Sequence, residues 1–307
     1  MVAYPKGAQP LRHFLSWYYS KDRFQLSDER VENERPVRDL PDVMFYYRYL
    51  NGRPMVSVNN DRTHRTLSRD SVNPEVSILS QRRDPDNYPE LSYLASTYEA
   101  IRLYREWSFG RKSMYRIGQP ADQRNDRLEL DFSNLGMFLS RLRTIPAVKR
   151  SILGALEDLY KDFSDFEILT IGGTIQLIFT EGDFSIPATR LSDDTLRYLC
   201  LLAILLDPTP PPLICIEEPE LGLHPDLIPK IADMLVDASR HTQLIVTTHS
   251  DVLIDALTER PESVLVCEKH DQQTKINRLS KTEVARWLKD YRLGQLWTRG
   301  EIGGTRW

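Results

Sequence analysis

A chain of 307 residues can bury one large core or two modest ones, so one or two domains are expected. Hydrophobic residues make up 41% and charged residues 27%, and the net charge of −4 argues against a generally basic nucleic-acid coat. The start, MVAYPKGAQPLRHFL, lacks an apolar stretch behind a basic end, and the longest apolar run, Tyr198 to Leu206, is too short to span a bilayer; the expectation is a cytoplasmic protein without a membrane segment.

Residues 1–42 are polar and show no clean period, so they read as a poorly structured segment. Val43 to Val58 reads as two strands around Asn51-Gly52, a strong hairpin signal. Pro89 to Trp107, Ser133 to Leu142 and Val148 to Phe163 carry apolar residues at helical spacing. Ile168 to Phe179 alternates and turns at Gly172-Gly173, a second hairpin. After Pro187 the character changes. Leu213 to Ile216, Leu244 to Thr248 and Val264 to Cys267 are short apolar strands, with helices predicted over Pro225 to Ala238 and Ser250 to Leu257. Such alternation predicts parallel β-α-β units with helices covering the sheet. Ser280 to Glu283 has the capping-box pattern and opens a helix carrying Trp287 and Leu288. Cys200, Cys215 and Cys267 lie in apolar stretches without metal-type spacing and read as buried free thiols.

Three segments carry chemistry. In LICIEEPELGLHP (Leu213 to Pro225) a buried strand ends in two carboxylates, Glu217 and Glu218. Ligands of parallel sheets bind at the carboxyl ends of strands, and adjacent acids there suit divided labour, one helping to hold Mg²⁺ and the other polarising a water. A solvated acidic loop is the plain alternative. Upstream, RLSDDTLRYLCLLAILLDP (Arg190 to Pro208) opens with Ser192 as N-cap and Asp193 and Asp194 in the first turn of a helix that is apolar nearly all round. A serine among helix N-terminal N–H groups suits an anion; a capped core helix is the alternative. Downstream, LIVTTHSDVL (Leu244 to Leu253) places His249 just past a strand end, where it can sense a phosphate or serve structure alone.

Taken as an ordered set, these segments resemble the second half of the RecF/SMC-like, ABC-type predicted ATPases of bacterial repair and defence. Leu191 to Thr195 looks like the signature motif, Leu213 to Glu218 like Walker B, Leu221 to Pro225 like the D-loop, and His249 like the switch histidine. Ser80 to Leu91, Arg105 to Ser113, Ser133 to Gly136 and Trp287 to Trp307 resemble further segments of one branch, so the likeness covers most of the chain after about residue 40. The resemblance implies Glu217 on the metal side, Glu218 as general base, His249 bridging water and γ-phosphate, and Ser192 with Asp194, Thr195 and Arg197 in a nucleotide-binding group that faces a partner's ATP. It also implies a homodimer, or a dimer with a P-loop-bearing ATPase, together with possible DNA and effector-protein partners.

Two departures stand out. No GxxxxGK[ST] run occurs; in the nearest look-alike, Gly110-Arg111-Lys112-Ser113, Glu106 and Arg111 fill the two glycine places. Asp194 stands where the signature motif has glycine, bringing a carboxylate towards a polyanion. A truncated gene, a P-loop on a separate chain and a degenerate ATPase would each account for the first, and truncation is the expectation taken. A lost β-loop-α unit would leave an unpaired sheet edge and exposed apolar surface. Arg102, Tyr104, Arg105, Trp107, Phe109, Arg111, Lys112 and Arg116 could face nucleic acid, although packed aromatics with snorkelling arginines explain them as well. The expected architecture is α/β: a poorly structured 1–42, a hairpin and helical arm or insertion over 43–163, and a partial ABC-type parallel-sheet lobe over 164–307. Its expected activity is ATP hydrolysis with Mg²⁺, against the alternative of an inactive adaptor.

Overall fold

Lys21 and Asp22 both adopt left-handed backbone, φ 52° and 61°, the conformation a two-residue hairpin turn requires. They join β1 (Leu11–Ser20) to β2 (Arg23–Asn33) in the computed structural model, which describes residues 1–7, 9–36, 42–50, 52–58, 64–108, 110, 112–113, 116–159 and 162–304. The expectation of a poorly structured 1–42 is therefore corrected over 11–33. The signal is hard to see because the turn has no glycine, a bulge between Ser16 and Trp17 breaks the alternation, and Glu29 and Glu32 point inward. Positions 8 and 37–41 lie outside the described residues.

The first unit, Met1–Ala100, continues the antiparallel sheet through β3 (Phe45–Leu50), β4 (Arg53–Ser57) and β5 (His64–Thr66), in the order β1-β2-β3-β4-β5. The β3–β4 hairpin turns through Gly52 at φ 73°, as its sequence predicts, with Asn51 outside the described residues. Helices α1 (Ile78–Gln81) and α2 (Pro89–Glu99) supply Ile78, Leu91, Leu94 and Ala95 to a core with Leu11, Val31, Tyr47 and Val56. The fully buried Glu29 is satisfied by His13 Nε2 at 3.1 Å, the Ser77 hydroxyl and the Ile78 N–H at 3.0 Å.

α2 stops at Glu99, not at Trp107 as helical spacing suggests. Residues Arg102–Tyr104 form β6, whose backbone pairs in parallel with β11 (Leu213–Glu217), a partner more than a hundred positions away that local periodicity does not register. The second unit, Ile101–Trp307, thus begins well before residue 164. β7 (Gln119–Pro120), α3 (Leu135–Arg143) and α4 (Pro146–Glu157) lead into the β8 (Phe163–Ile171) and β9 (Thr174–Glu181) hairpin, and β10 (Phe184–Pro187) pairs with β9. Helix α5 (Asp193–Leu205) is buried without a break from Thr195 to Leu205, as its apolar circumference predicts. β12 (Gln243–Thr247) then completes the order β12-β11-β6, with α6 (Ile228–Ala238) and α7 (Asp251–Ala256) following β11 and β12.

Among the described residues one face of this parallel sheet is packed into the core and the other is partly exposed. Ile214, Ile216, Tyr104, Leu244 and Val246 join the core with α5, α6 and α7. The opposite face shows Leu103, Cys215 and Ile245 as cross-strand neighbours, with Leu103 and Ile245 44% and 47% exposed, so the helices that the sequence predicts to cover the sheet lie against its other face. Among the described residues β12 pairs with β11 alone. The strand after α7, β13 (Leu265–His270), does not join the parallel sheet either; Asp271 and Gln272, both at positive φ, return it as an antiparallel ribbon with β14 (Gln273–Arg278). α8 (Lys281–Val284) is one turn long, and the Ser280 hydroxyl bonds Thr282 Oγ1 in place of the expected capping box. α9 (Leu293–Thr298) packs on α7, where the Gly294 N–H donates to Asp255 Oδ1 at 2.9 Å. Of the three thiols only Cys200 is buried: Cys215 is half-exposed on the open sheet face and Cys267 exposed on the ribbon.

Candidate functional site

The parallel ladder brings the ends of β11 and β12 level, with Glu217 opposite Thr247. Glu217 is exposed and Glu218 half-buried. At Glu218 the chain leaves the strand through φ +44°, a left-handed conformation costing a side-chain-bearing residue about 1–2 kcal/mol. Its surroundings fix it there. The Glu218 N–H donates to Thr247 O at 2.9 Å, and its carbonyl accepts from Arg197 Nη2 at 2.6 Å and from the Leu221 N–H at 3.1 Å. His249 follows β12, and its Nε2 stands 3.8 Å from Glu218 Oε1.

Beneath this corner the Arg197 guanidinium lies over the Trp107 ring, 4.4 Å from its centroid, and Trp107 stacks in turn on Phe132. The Trp107 indole N–H donates to the Glu217 carbonyl at 2.9 Å. Arg197 is 1% exposed. Its place in a nucleotide-binding group is therefore corrected: it reaches inward to the backbone of Glu218 because it lies on the buried face of α5, and it positions the corner.

Ser192 lies at the N-cap of α5, with Asp194 and Thr195 in its first turn. Ser192 caps the helix, accepting from the Thr195 N–H at 3.4 Å, and its hydroxyl shares a 2.6 Å hydrogen bond with the buried Thr195 hydroxyl. Ser192 is exposed and Asp194 half-exposed. The neighbouring Asp193 pairs with Arg116 and accepts from the Gly110 N–H at 3.2 Å, and the Arg116 guanidinium above all holds its carboxyl below the usual range. Arg116 also donates to Leu191 O. So Tyr104, Trp107 and Arg116, candidates for a nucleic-acid face, are engaged inside the unit; Phe109 and Arg111 lie outside the described residues.

Glu220 is not legible in sequence as a site residue. Its Oε1 accepts from Thr248 Oγ1 at 2.5 Å and from the His249 N–H at 3.2 Å, tying the turn after β11 to the turn after β12. A carboxylate between Pro219 and Leu221 looks in sequence like one more loop acid. Trp107 and Arg116 are equally hidden in these roles, since their partners lie far away in sequence.

The family described as "AAA domain, putative AbiEii toxin, Type IV TA system" matches residues 18–255. The chain belongs to this AAA-domain family. Among solved structures, the AAA-domain chain is similar to an Smc head bound to the C-terminal winged-helix domain of ScpA, with 14% identity, 85% of this chain and 70% of that one covered, and a TM-score of 0.46. It is similar to the SMC head domain from Thermotoga maritima, with 11% identity, 88% and 74% covered, and a TM-score of 0.36. A third structure, from work on ATP-driven dimerization and DNA-stimulated activation of SMC ATPases, gives 17% identity over 50% of this chain and 95% of that one, with a TM-score of 0.37. No curated protein gives a match. Among the described residues no helix is long and apolar enough to cross a membrane.

Proposed function

We propose that this AAA domain binds and hydrolyses ATP with Mg²⁺ at the carboxyl ends of β11 and β12, in the manner of RecF/SMC-like ATPases. The observation that carries the reading is the Glu217–Glu218 corner, held in left-handed backbone with His249 3.8 Å from the second carboxylate. Glu217 offers an exposed carboxylate and Glu218 a half-exposed one, hard oxygen donors that fit a Mg²⁺ shared with phosphates. That ion supplies charge neutralisation at the phosphates when bound. Glu217 lies on its side, Glu218 accepts a proton from the attacking water, and His249 orients water and γ-phosphate. Ser192, exposed at the α5 N-terminus, faces the γ-phosphate of a nucleotide held by a second subunit, so ATP draws two heads together. Asp194 beside it requires a cation or a turned side chain.

The family's description as a "putative AbiEii toxin" of a toxin–antitoxin system supports a setting in defence; DNA repair as the neighbouring setting, and DNA and an effector protein as partners, rest on the RecF/SMC-like resemblance. The unpaired edge of β12 among the described residues and the lack of a GxxxxGK[ST] run favour a second reading, an adaptor that pairs with a P-loop-bearing ATPase. Calorimetry with ATP and Mg²⁺, followed by turnover of Glu218→Gln, separates the two. Micromolar ATP binding that survives Glu218→Gln while turnover disappears is the expected outcome. Absence of binding at millimolar ATP, with stable capture of a P-loop-bearing partner, turns the assignment to the adaptor.

A further inference from the structure

Past the last rungs of β11 and β12 the two chain segments have left the ladder, and among the described residues few bonds hold one against the other. One is the Glu218 N–H to Thr247 O bond. The others converge on a single carboxylate oxygen: Glu220 Oε1 accepts from the Thr248 hydroxyl and from the His249 N–H. The same Thr248 oxygen accepts from the Ser250 N–H at 3.0 Å, and Ser250 caps α7 through the Leu253 N–H at 3.2 Å. His249 therefore lies between two anchored residues and has its own backbone held by Glu220. Its ring is 72% exposed, so the backbone decides where it stands. The second oxygen, Oε2, is buried without a hydrogen-bond partner, which costs on the order of 1–3 kcal/mol for a polar group.

We propose that Glu220 is a positioning residue that sets His249 against Glu218 through Thr248. The proposal rests on the reading of Glu218 and His249 as the hydrolytic pair. Glu220 does not itself act on the substrate, because both donors converge on Oε1 and Oε2 is closed off from water. What the position needs is an acceptor, not a charge. A glutamine supplies the same carbonyl oxygen, whereas alanine removes it.

The test compares Glu220→Gln, Glu220→Ala and Thr248→Val in the full chain by amide hydrogen exchange at His249 and by steady-state ATP turnover. Glu220→Ala is expected to speed exchange at the His249 amide by about tenfold or more, with Glu220→Gln close to the parent. In turnover, Glu220→Ala lowers kcat by about tenfold or more with KM within about twofold, and Glu220→Gln restores it. Thr248→Val keeps the carboxylate and removes the hydroxyl, so it gives a smaller change in the same direction even if Glu220→Ala does not fold. Unchanged His249 exchange in Glu220→Ala or, failing that variant, in Thr248→Val overturns the proposal. So does a Glu220→Gln variant as slow as Glu220→Ala with His249 protection intact, since the charge would then be acting directly. A parent chain without turnover sinks the ATPase reading alone, and the exchange comparison still decides the role of Glu220.

Discussion

Arg197 shows how much one buried side chain can organise. Its guanidinium meets the Glu218 carbonyl on one side and the Trp107 face on another, so the conformation of the acidic corner is written partly into α5. Arg197→Ala removes a charged hydrogen bond and leaves a cavity, a loss of about 2–5 kcal/mol that chemical denaturation reads directly. Arg197→Lys keeps the charge and loses the planar face over the indole, with about 1–3 kcal/mol lost. A fall as large for lysine as for alanine would assign the whole effect to guanidinium geometry. Asp193 gives a second expectation at this scale. Arg116 depresses its carboxyl in the folded state, so its contribution is complete above the unfolded value and disappears as pH falls through the lower folded one. Thermal melts of Asp193→Asn should show a flatter acid limb than the parent, and identical limbs would show that the latch carries no stability.

At the scale of elements, α9 depends on a glycine for a steric reason. A Cβ at Gly294 would collide with the Asp251 carbonyl oxygen, while the Gly294 N–H and the Arg292 guanidinium both bond Asp255. Gly294→Ala is expected to force α9 off α7 and cost about 1–3 kcal/mol, measurable as a lower midpoint in urea. The elements also differ in how visible they are in sequence. Hairpins whose turns use glycine, at Gly52 and at Gly172-Gly173, are plain, and so is α5 with its unbroken apolar run. The β1–β2 hairpin hides because Lys21 and Asp22 make a left-handed turn without glycine. β6 hides because its partner is β11, and β13 misleads because an apolar strand carries no mark of the sheet it will join. The same holds for the site. The carboxylates and His249 stand out at strand ends, whereas Glu220, Trp107 and Arg197 work through contacts that close only on folding.

At the scale of the whole chain, the partly exposed apolar face of the parallel sheet stands out among the described residues. Ile245→Lys on that face should change the melting temperature by only a few degrees, since the side chain is already 47% exposed, and should lower self-association in light scattering. A large drop in stability would mean that the residue is packed after all.

Cys215 sits in the middle of this row, between Leu103 and Ile245, and that gives the molecule a built-in chemical reporter. Cys200 is shut in the core, where burial pushes its thiol far up, and Cys267 is exposed on the ribbon. In a chain carrying Cys267→Ser, the rate at which a thiol reagent labels Cys215 is a clock for how often that face is open. Whatever comes to lie across the sheet, be it a partner, a second copy or another segment, would announce itself as a slowing of that clock.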